Sequence, residues 1–197
     1  MFAALQAIDT SIFLFFNGLH SHYADIFFYW VSNRFFWIPL YLFLLFLIIK
    51  NQKKKSVAVI LMLVLGIFLS DQTCNIMKRN ICRLRPSHEP ELAEKVHLVD
   101  YPDGNVYRGG QYGFPSSHAA NSIVVALFAV FYAVPRKKWA AALLIAWSLL
   151  LGYSRIYLGV HYPFDLLTGY AIGITYSVLL SVGVSFVNSA IFRNDPF

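Results

Sequence analysis

Apolar runs about as long as a bilayer is thick, separated by short clusters of charge, set the pattern of this chain. Val57 to Met77 carries one charged residue, Asp71. Ser117 to Val134 carries no Asp, Glu, Lys or Arg. Trp139 to Tyr153 stays apolar until Ser154-Arg155, and Phe164 to Ile191 has length to spare. Arg34 to Lys50 holds a shorter apolar core, with Pro39 near its start, where a helix tolerates proline best. A spanning helix needs about 20 mostly apolar residues, and tilt absorbs an excess. The pattern therefore predicts an all-α polytopic membrane helix bundle with five transmembrane helices.

The first 33 residues read differently. Leu5, Ile8, Ile12, Phe15 and Phe16 recur at roughly helical spacing, with Gln6, Asp9 and Thr10 on another side. The run Asn17-Gly18-Leu19-His20-Ser21-His22 reads as a break before a second short segment, Ala24 to Val31. This predicts an N-terminal amphipathic helix lying in the outer interface. The alternative is a sixth span with the N-terminus inside. Residues 1–33 contain no positive charge, which favours five spans and excludes a signal peptide with a basic start.

Charge in the connections orients the bundle. Lys50 to Lys55 holds four Lys and no acid, and Pro135 to Lys138 holds three basic residues and no acid. Both read as cytoplasmic, with residues 192–197 on the same side by parity. The connection from about Arg79 to Phe114 then lies outside with all three Glu (Glu89, Glu91, Glu94), and so does Ser154 to Pro163. Composition agrees: 58% of residues are hydrophobic, 13% are charged and the net charge is +6. That is too little charge for an ordinary soluble domain and too apolar for disorder. Eight of the sixteen Lys and Arg fall on the assigned cytoplasmic side, so the basic balance is an orientation signal and not a nucleic-acid footprint. Cys74 and Cys82, if both helical, lie about 12 Å apart, too far to bridge. One membrane domain, 1–197, covers the chain, with 56–190 as its core.

Polar residues converge at the outer ends of three helices. Lys78, Arg79, Arg83 and Arg85 cluster where the span from Val57 exits. For Arg79 and Arg83 the reading is interfacial snorkelling. Lys78 and Arg85 are seven apart, so a persisting helix puts two cations on one face, where a phosphate would relieve their repulsion. Gly113-Phe114-Pro115-Ser116-Ser117-His118 precedes an apolar run, so Ser there starts a helix whose free N–H groups suit an anion. A plain N-cap accounts for one Ser but leaves His118 unexplained. In Ser154 to Asp165, Pro163 opens the last span, and Asp165 is four residues beyond His161. A carboxylate on one imidazole nitrogen fixes the tautomer and sharpens the other as base or nucleophile, although such a pair alone is equally a structural hydrogen bond. Together, three cations, a helix N-terminus and two histidines suit phosphoryl transfer.

These motifs resemble a known family. K-x-x-x-x-x-x-R-P (Lys78 to Pro86), P-S-S-H (Pro115 to His118) and S-R-x-x-x-x-x-H-x-x-x-D (Ser154 to Asp165) are similar to the three signatures of the type 2 phosphatidic acid phosphatase superfamily, over roughly Ser56 to Ala190. The second signature usually reads P-S-G-H; Ser117 replaces its Gly and keeps the backbone N–H that faces phosphate. The resemblance implies that His161 attacks phosphorus and Asp165 orients it. His118 protonates the leaving oxygen and then activates water. Lys78, Arg85, Arg155, Ser116 and the Ser117 N–H hold the phosphoryl oxygens. It implies no metal and no cofactor. A metal site at His118, His161 and Asp165 is the competing reading, with no further ligand in register.

Asp71 and Asn75 precede Lys78 on its face and read as support for it or as contacts between helices. His20, His22, His88 and His97 show no pattern and read as interfacial or solvated. Tyr101, Asp103, Tyr107, Arg108, Gln111 and Tyr112 form either a lid over the site or a solvated connector. The resemblance implies a phosphatase of the bacterial inner membrane, facing the periplasm or exterior. Its substrate is a lipid phosphate: undecaprenyl diphosphate, a lipid A phosphate, phosphatidylglycerol phosphate or phosphatidic acid. The alternatives are a small transporter or channel, and a haloperoxidase.

Overall fold

The computed structural model describes residues 2–100 and 104–191, and among them the chain forms seven α-helices and no strands beyond two isolated bridges. They are α1 (Phe2–Asn17), α2 (His22–Ser32), α3 (Ile38–Gln52), α4 (Ser56–Ile81), α5 (Ser117–Phe128), α6 (Lys138–Tyr157) and α7 (Pro163–Ile191). Three stretches are long and apolar enough to cross a membrane: Arg34–Ile81, Lys138–Tyr157 and Pro163–Ala190. The first folds back on itself at Lys53, whose φ is 50°, and so contains α3 and α4. A shorter apolar stretch, Ser117–Ala133, joins α5 to a wider π turn.

α5 is the axis of the bundle, packed by α4, α6 and α7. Val124 and Phe128 of α5 are buried with Val59, Leu144 and Val184, while Leu61, Phe68, Leu143 and Phe186 point outward. An apolar exterior around an apolar core is what lipid as solvent permits. α7 reaches α5 closely because Gly169 and Gly173 lie one turn apart. A Cβ at either would stand 2.4 Å from a backbone oxygen of α5, that of Ser116 or of Ala120. Small residues spaced by four let two helix backbones approach this way.

Both basic turns lie at one end. Asn51 Nδ2 donates to Ala133 O at 2.6 Å and Gln52 Nε2 to Tyr132 O at 3.1 Å, tying the Lys53–Lys55 turn to the end of the α5 stretch. The other end gathers the exit of α4, the starts of α5 and α7 and the exit of α6. Residues 192–197, expected beside the basic turns, lie outside the described residues.

The N-terminal segment inverts one expectation. α1 and α2 form as the periodicity predicts, with Ser21 capping α2. Yet α1 turns a face that includes polar residues inward, while Gln6 stays exposed. Asp9, Phe13 and Asn17 are fully buried against α6 and α7, while Leu5, Ile8 and Phe15 are exposed. Asn17 Nδ2 donates to the carbonyls of His97, Ile156 and Tyr157, and its oxygen accepts from His97 N. A buried polar face is stable when its groups are bonded in this way. His97 is also not simply solvated: it pairs with Asp25 at 2.8 Å and stacks on His20.

Candidate active site

α4 stops at Ile81 because Cys82 turns left-handed, with φ of 52°. Lys78 and Arg85 therefore do not share a helix face, contrary to the expectation above. They meet because the chain doubles back, with Arg85 N bonded to Gln111 O and Gly113 N to Arg83 O. Asn75 bonds Asp71 at 2.9 Å within its own helix. Lys78 Nζ instead donates to Ser117 Oγ at 2.7 Å. The residue that departs from the usual motif thus holds a cation with its hydroxyl, a role the backbone argument did not foresee. Ser116 is the N-cap of α5, and its own N–H donates to Asp165 O at 2.9 Å, locking the starts of α5 and α7 together.

The turn between α6 and α7 carries His161. Gly159 makes it possible: its φ is +71°, and a Cβ there would meet Val96 and Leu98 at 2.7 Å. His161 and Asp165 are buried, with Nδ1 3.1 Å from Asp165 Oδ2. Arg85 Nη1 approaches Nε2 at 2.8 Å. A guanidinium only donates, so Nε2 is the acceptor and the proton lies on Nδ1, facing the carboxylate. Burial, and then the charges of Arg85 and Arg155, hold the imidazole well below the ordinary histidine pKa. The ring is neutral, with its Nε2 lone pair toward the cations.

Arg85 also donates to Val160 O and Tyr112 O. Burial and the nearby Arg155 push its pKa down to about 10. Arg155 donates to Ser32 Oγ and, at 2.7 Å, to Tyr107 OH, while its buried Nε lacks a partner. Burial alone would raise the Tyr107 phenol, but the charge and hydrogen bond of Arg155 hold it below its usual value. The outer loop is thus a wall of the site: Tyr107 and Tyr112 bond its arginines, and Arg108 is bonded to Ser87. Tyr101 and Asp103 lie outside the described residues. Cys74 and Cys82 are both free.

Two cavities meet at His118. A polar one of about 390 Å³ is lined by Tyr29, Ser32, Arg34, Tyr107, His118 and Arg155. An apolar groove of about 550 Å³ runs from Ser117 and His118 between α3, α4 and α5, past Ile67 and Leu63 to Ile48. Tyr29, Ser32 and Arg34 carried no signal in the sequence; they reach the site because α2 packs on α6. Among the described residues, no group of three or more His, Cys, Asp or Glu gathers to hold a metal ion.

Arg83 differs most from its expected role. It does not snorkel: Nη1 bonds Asp165 Oδ1 at 2.8 Å, Nη2 bonds Asp9 Oδ2 at 2.7 Å, and the guanidinium lies over the Tyr162 ring at 4.1 Å. The available signal was the stripe Asp9, Phe13, Asn17 at helical spacing, which marks a second face of α1.

Residues 56–188 match the model of the PAP2 superfamily. The chain is 39% identical over 176 residues to a lipid A 4'-phosphatase of Bacteroides thetaiotaomicron, covering 88% of this chain and 75% of that protein. It is 34% identical to a lipid A 4'-phosphatase of Porphyromonas gingivalis, over 85% of this chain and 69% of that one. Among solved structures, Aquifex aeolicus LpxE matches with a TM-score of 0.60 at 26% identity, over 87% of this chain and 93% of its own. A PAP2-type phosphatidylglycerolphosphate phosphatase of Bacillus subtilis matches with a TM-score of 0.67 at 23% identity, over 97% and 89%, a likeness of fold.

Proposed function

The chain belongs to the PAP2 superfamily as a lipid phosphatase, and from that premise we propose that it removes a phosphate from a lipid head group at the extracytoplasmic face through a phosphohistidine. One observation carries the reading. The neutral His161, its Nδ1 proton directed at Asp165, turns its Nε2 lone pair into a ring of cations, Arg85 bonded to it with Arg155 and Lys78 nearby, while His118 stands at the mouth of an apolar groove. The ring binds the phosphoryl group and the groove takes acyl chain.

His161 Nε2 attacks phosphorus as the bond to the lipid oxygen breaks. His118 gives that oxygen its proton. A water, deprotonated by the same His118, then attacks the phosphohistidine and frees inorganic phosphate and His161. Asp165 stabilises the imidazolium that carries the phosphoryl group. Lys78, Arg85 and Arg155, with Ser116 and the N–H groups opening α5, hold the oxygens whose charge develops in transfer. A lipid A phosphate is the preferred substrate, on the strength of the two relatives above. Undecaprenyl diphosphate comes next, with a Sulfolobus acidocaldarius undecaprenyl-diphosphatase 28% identical over 75% of this chain and 63% of that protein. Family membership leaves the transporter reading without support.

For topology, α3 to α7 are the five spans and α1 with α2 covers the outer end of the bundle. The two basic turns face the cytoplasm and the site faces the periplasm or exterior of a bacterial inner membrane. The joined basic turns support this arrangement.

The deciding assay is phosphate release by detergent-purified protein from bisphosphorylated lipid A, undecaprenyl diphosphate, phosphatidylglycerol phosphate and phosphatidic acid, with and without EDTA. Release from lipid A that survives EDTA and vanishes in His161→Ala is expected. Full turnover by His161→Ala would sink the phosphohistidine route, and loss in EDTA would sink the metal-free one.

A further inference from the structure

Asp165 divides its two oxygens between two tasks. Oδ2 accepts from His161 Nδ1 and from Tyr162 N at 3.0 Å. Oδ1 accepts from Arg83 Nη1. Arg83 is itself held from the far side by Asp9, whose second oxygen accepts the Phe164 N–H at 3.0 Å, beside Asp165 in the first turn of α7. Both carboxylates are fully buried. Resting on the phosphohistidine reading above, we propose that Arg83, clamped by Asp9, is a positioning residue for the His161–Asp165 pair, and that α1 is thereby part of the catalytic apparatus.

The physical case is orientation and charge. A carboxylate tied at one oxygen can swing about its Cβ–Cγ bond; tied at both it cannot. The acceptor for the imidazole proton is then fixed, and with it the tautomer that frees Nε2. Arg83 lies on the side of Asp165 turned away from His161, bonded through the oxygen that the imidazole does not use, so it steadies the carboxylate without competing for the histidine proton. Asp9 holds the far side of the Arg83 guanidinium and supplies an acceptor to an orphan N–H at the head of α7. Asp9 precedes the 56–188 stretch that matches the family model. The Asp9 side of the clamp is therefore contributed by the N-terminal helix, outside the three signatures, while Arg83 fills an unspecified position within the first of them.

Kinetics on the full-length protein with bisphosphorylated lipid A in detergent test this, each variant paired with a thermal melt. Arg83→Met is expected to lower kcat about 10- to 100-fold with KM unchanged within about twofold, as removal of groups that orient a working histidine does. Because that variant strands two buried carboxylates, the double variant Asp9→Asn with Arg83→Met is the sharper test. It removes the unpaired charge beside the pair, so the melting temperature is expected to recover while kcat stays low. Arg83→Lys, which keeps charge but loses the two-pronged reach, is expected to fall between. Wild-type kcat in the double variant would make the clamp purely structural and overturn the proposal. A loss expressed in KM would place Arg83 on the substrate and overturn it too. His161→Ala, run alongside, must be inactive; activity there would remove the nucleophile reading and this inference with it.

Discussion

Gly169 offers the sharpest test of how packing sets the chemistry. A methyl group added there would stand 2.4 Å from Ser116 O and 3.1 Å from Ala119 Cβ, against ordinary contacts of 3.4 Å or more. The obstructing atom is backbone at the N-cap of α5, so relief requires α7 to move outward by about 1 Å. Asp165 lies one turn before Gly169, and the Ser116 N–H to Asp165 O bond spans this same contact at 2.9 Å. Gly169→Ala is therefore expected to destabilise by about 1–3 kcal/mol as an overpacked contact. The larger effect is on turnover: an ångström of misplacement at reacting groups costs about a hundredfold. Gly183→Ala in the same helix is the control. Its added Cβ would meet Met62 Sδ at 3.7 Å, ordinary contact, and Ala is the better helix former by about 1 kcal/mol. Phosphate release and thermal unfolding in detergent measure both variants. Wild-type kcat and melting temperature in Gly169→Ala would refute the claim that α7 is held against α5 by the absence of a side chain.

Other outcomes follow from the site. His161 has a folded-state pKa below that of an unfolded histidine, about 6.5, so the folded chain binds fewer protons; its contribution is intact above that pH and is lost as pH falls below it, by at most about 1.4 kcal/mol per pH unit. Melting temperature is expected to drop between pH 7.5 and pH 5, less steeply in His161→Asn; equal slopes would exclude His161 as the cause. Leu63→Trp narrows the apolar groove, and excluding about three methylenes at about 0.8 kcal/mol each lowers kcat/KM about 50-fold for long-chain lipid phosphates while sparing short-chain ones. Equal loss on both would show that the groove holds no tail.

Much of the molecule was legible locally. A helix that crosses a bilayer declares itself in about 20 residues, so α4, α6 and α7 were read nearly to their ends. Ser116 as a cap, Pro163 as a helix start and Asp165 one turn from His161 are short-range relations that spacing alone conveys. The three signatures hold Arg85 and Asp165, which bond His161, and Lys78 and Arg155, whose charges act on it.

What stayed hidden depends on contacts between distant segments. Arg83 and Asp9 are 74 positions apart, and Arg83 looked like its interfacial neighbours until α1 folded over α7. The amphipathic pattern of α1 was visible, but hydropathy cannot say whether water or partnered carbonyls receive Asp9 and Asn17. The Ser117 hydroxyl on Lys78, the Tyr107 wall against Arg155 and the His118 junction of two cavities are likewise decided by which surfaces meet. The sequence by itself determined the apolar helices, their basic turns and the candidate phosphate-binding motifs, because each is a property of a short segment. Only the tertiary structure decided which polar groups are buried with which partners, because satisfying a buried charge requires a group from elsewhere in the chain.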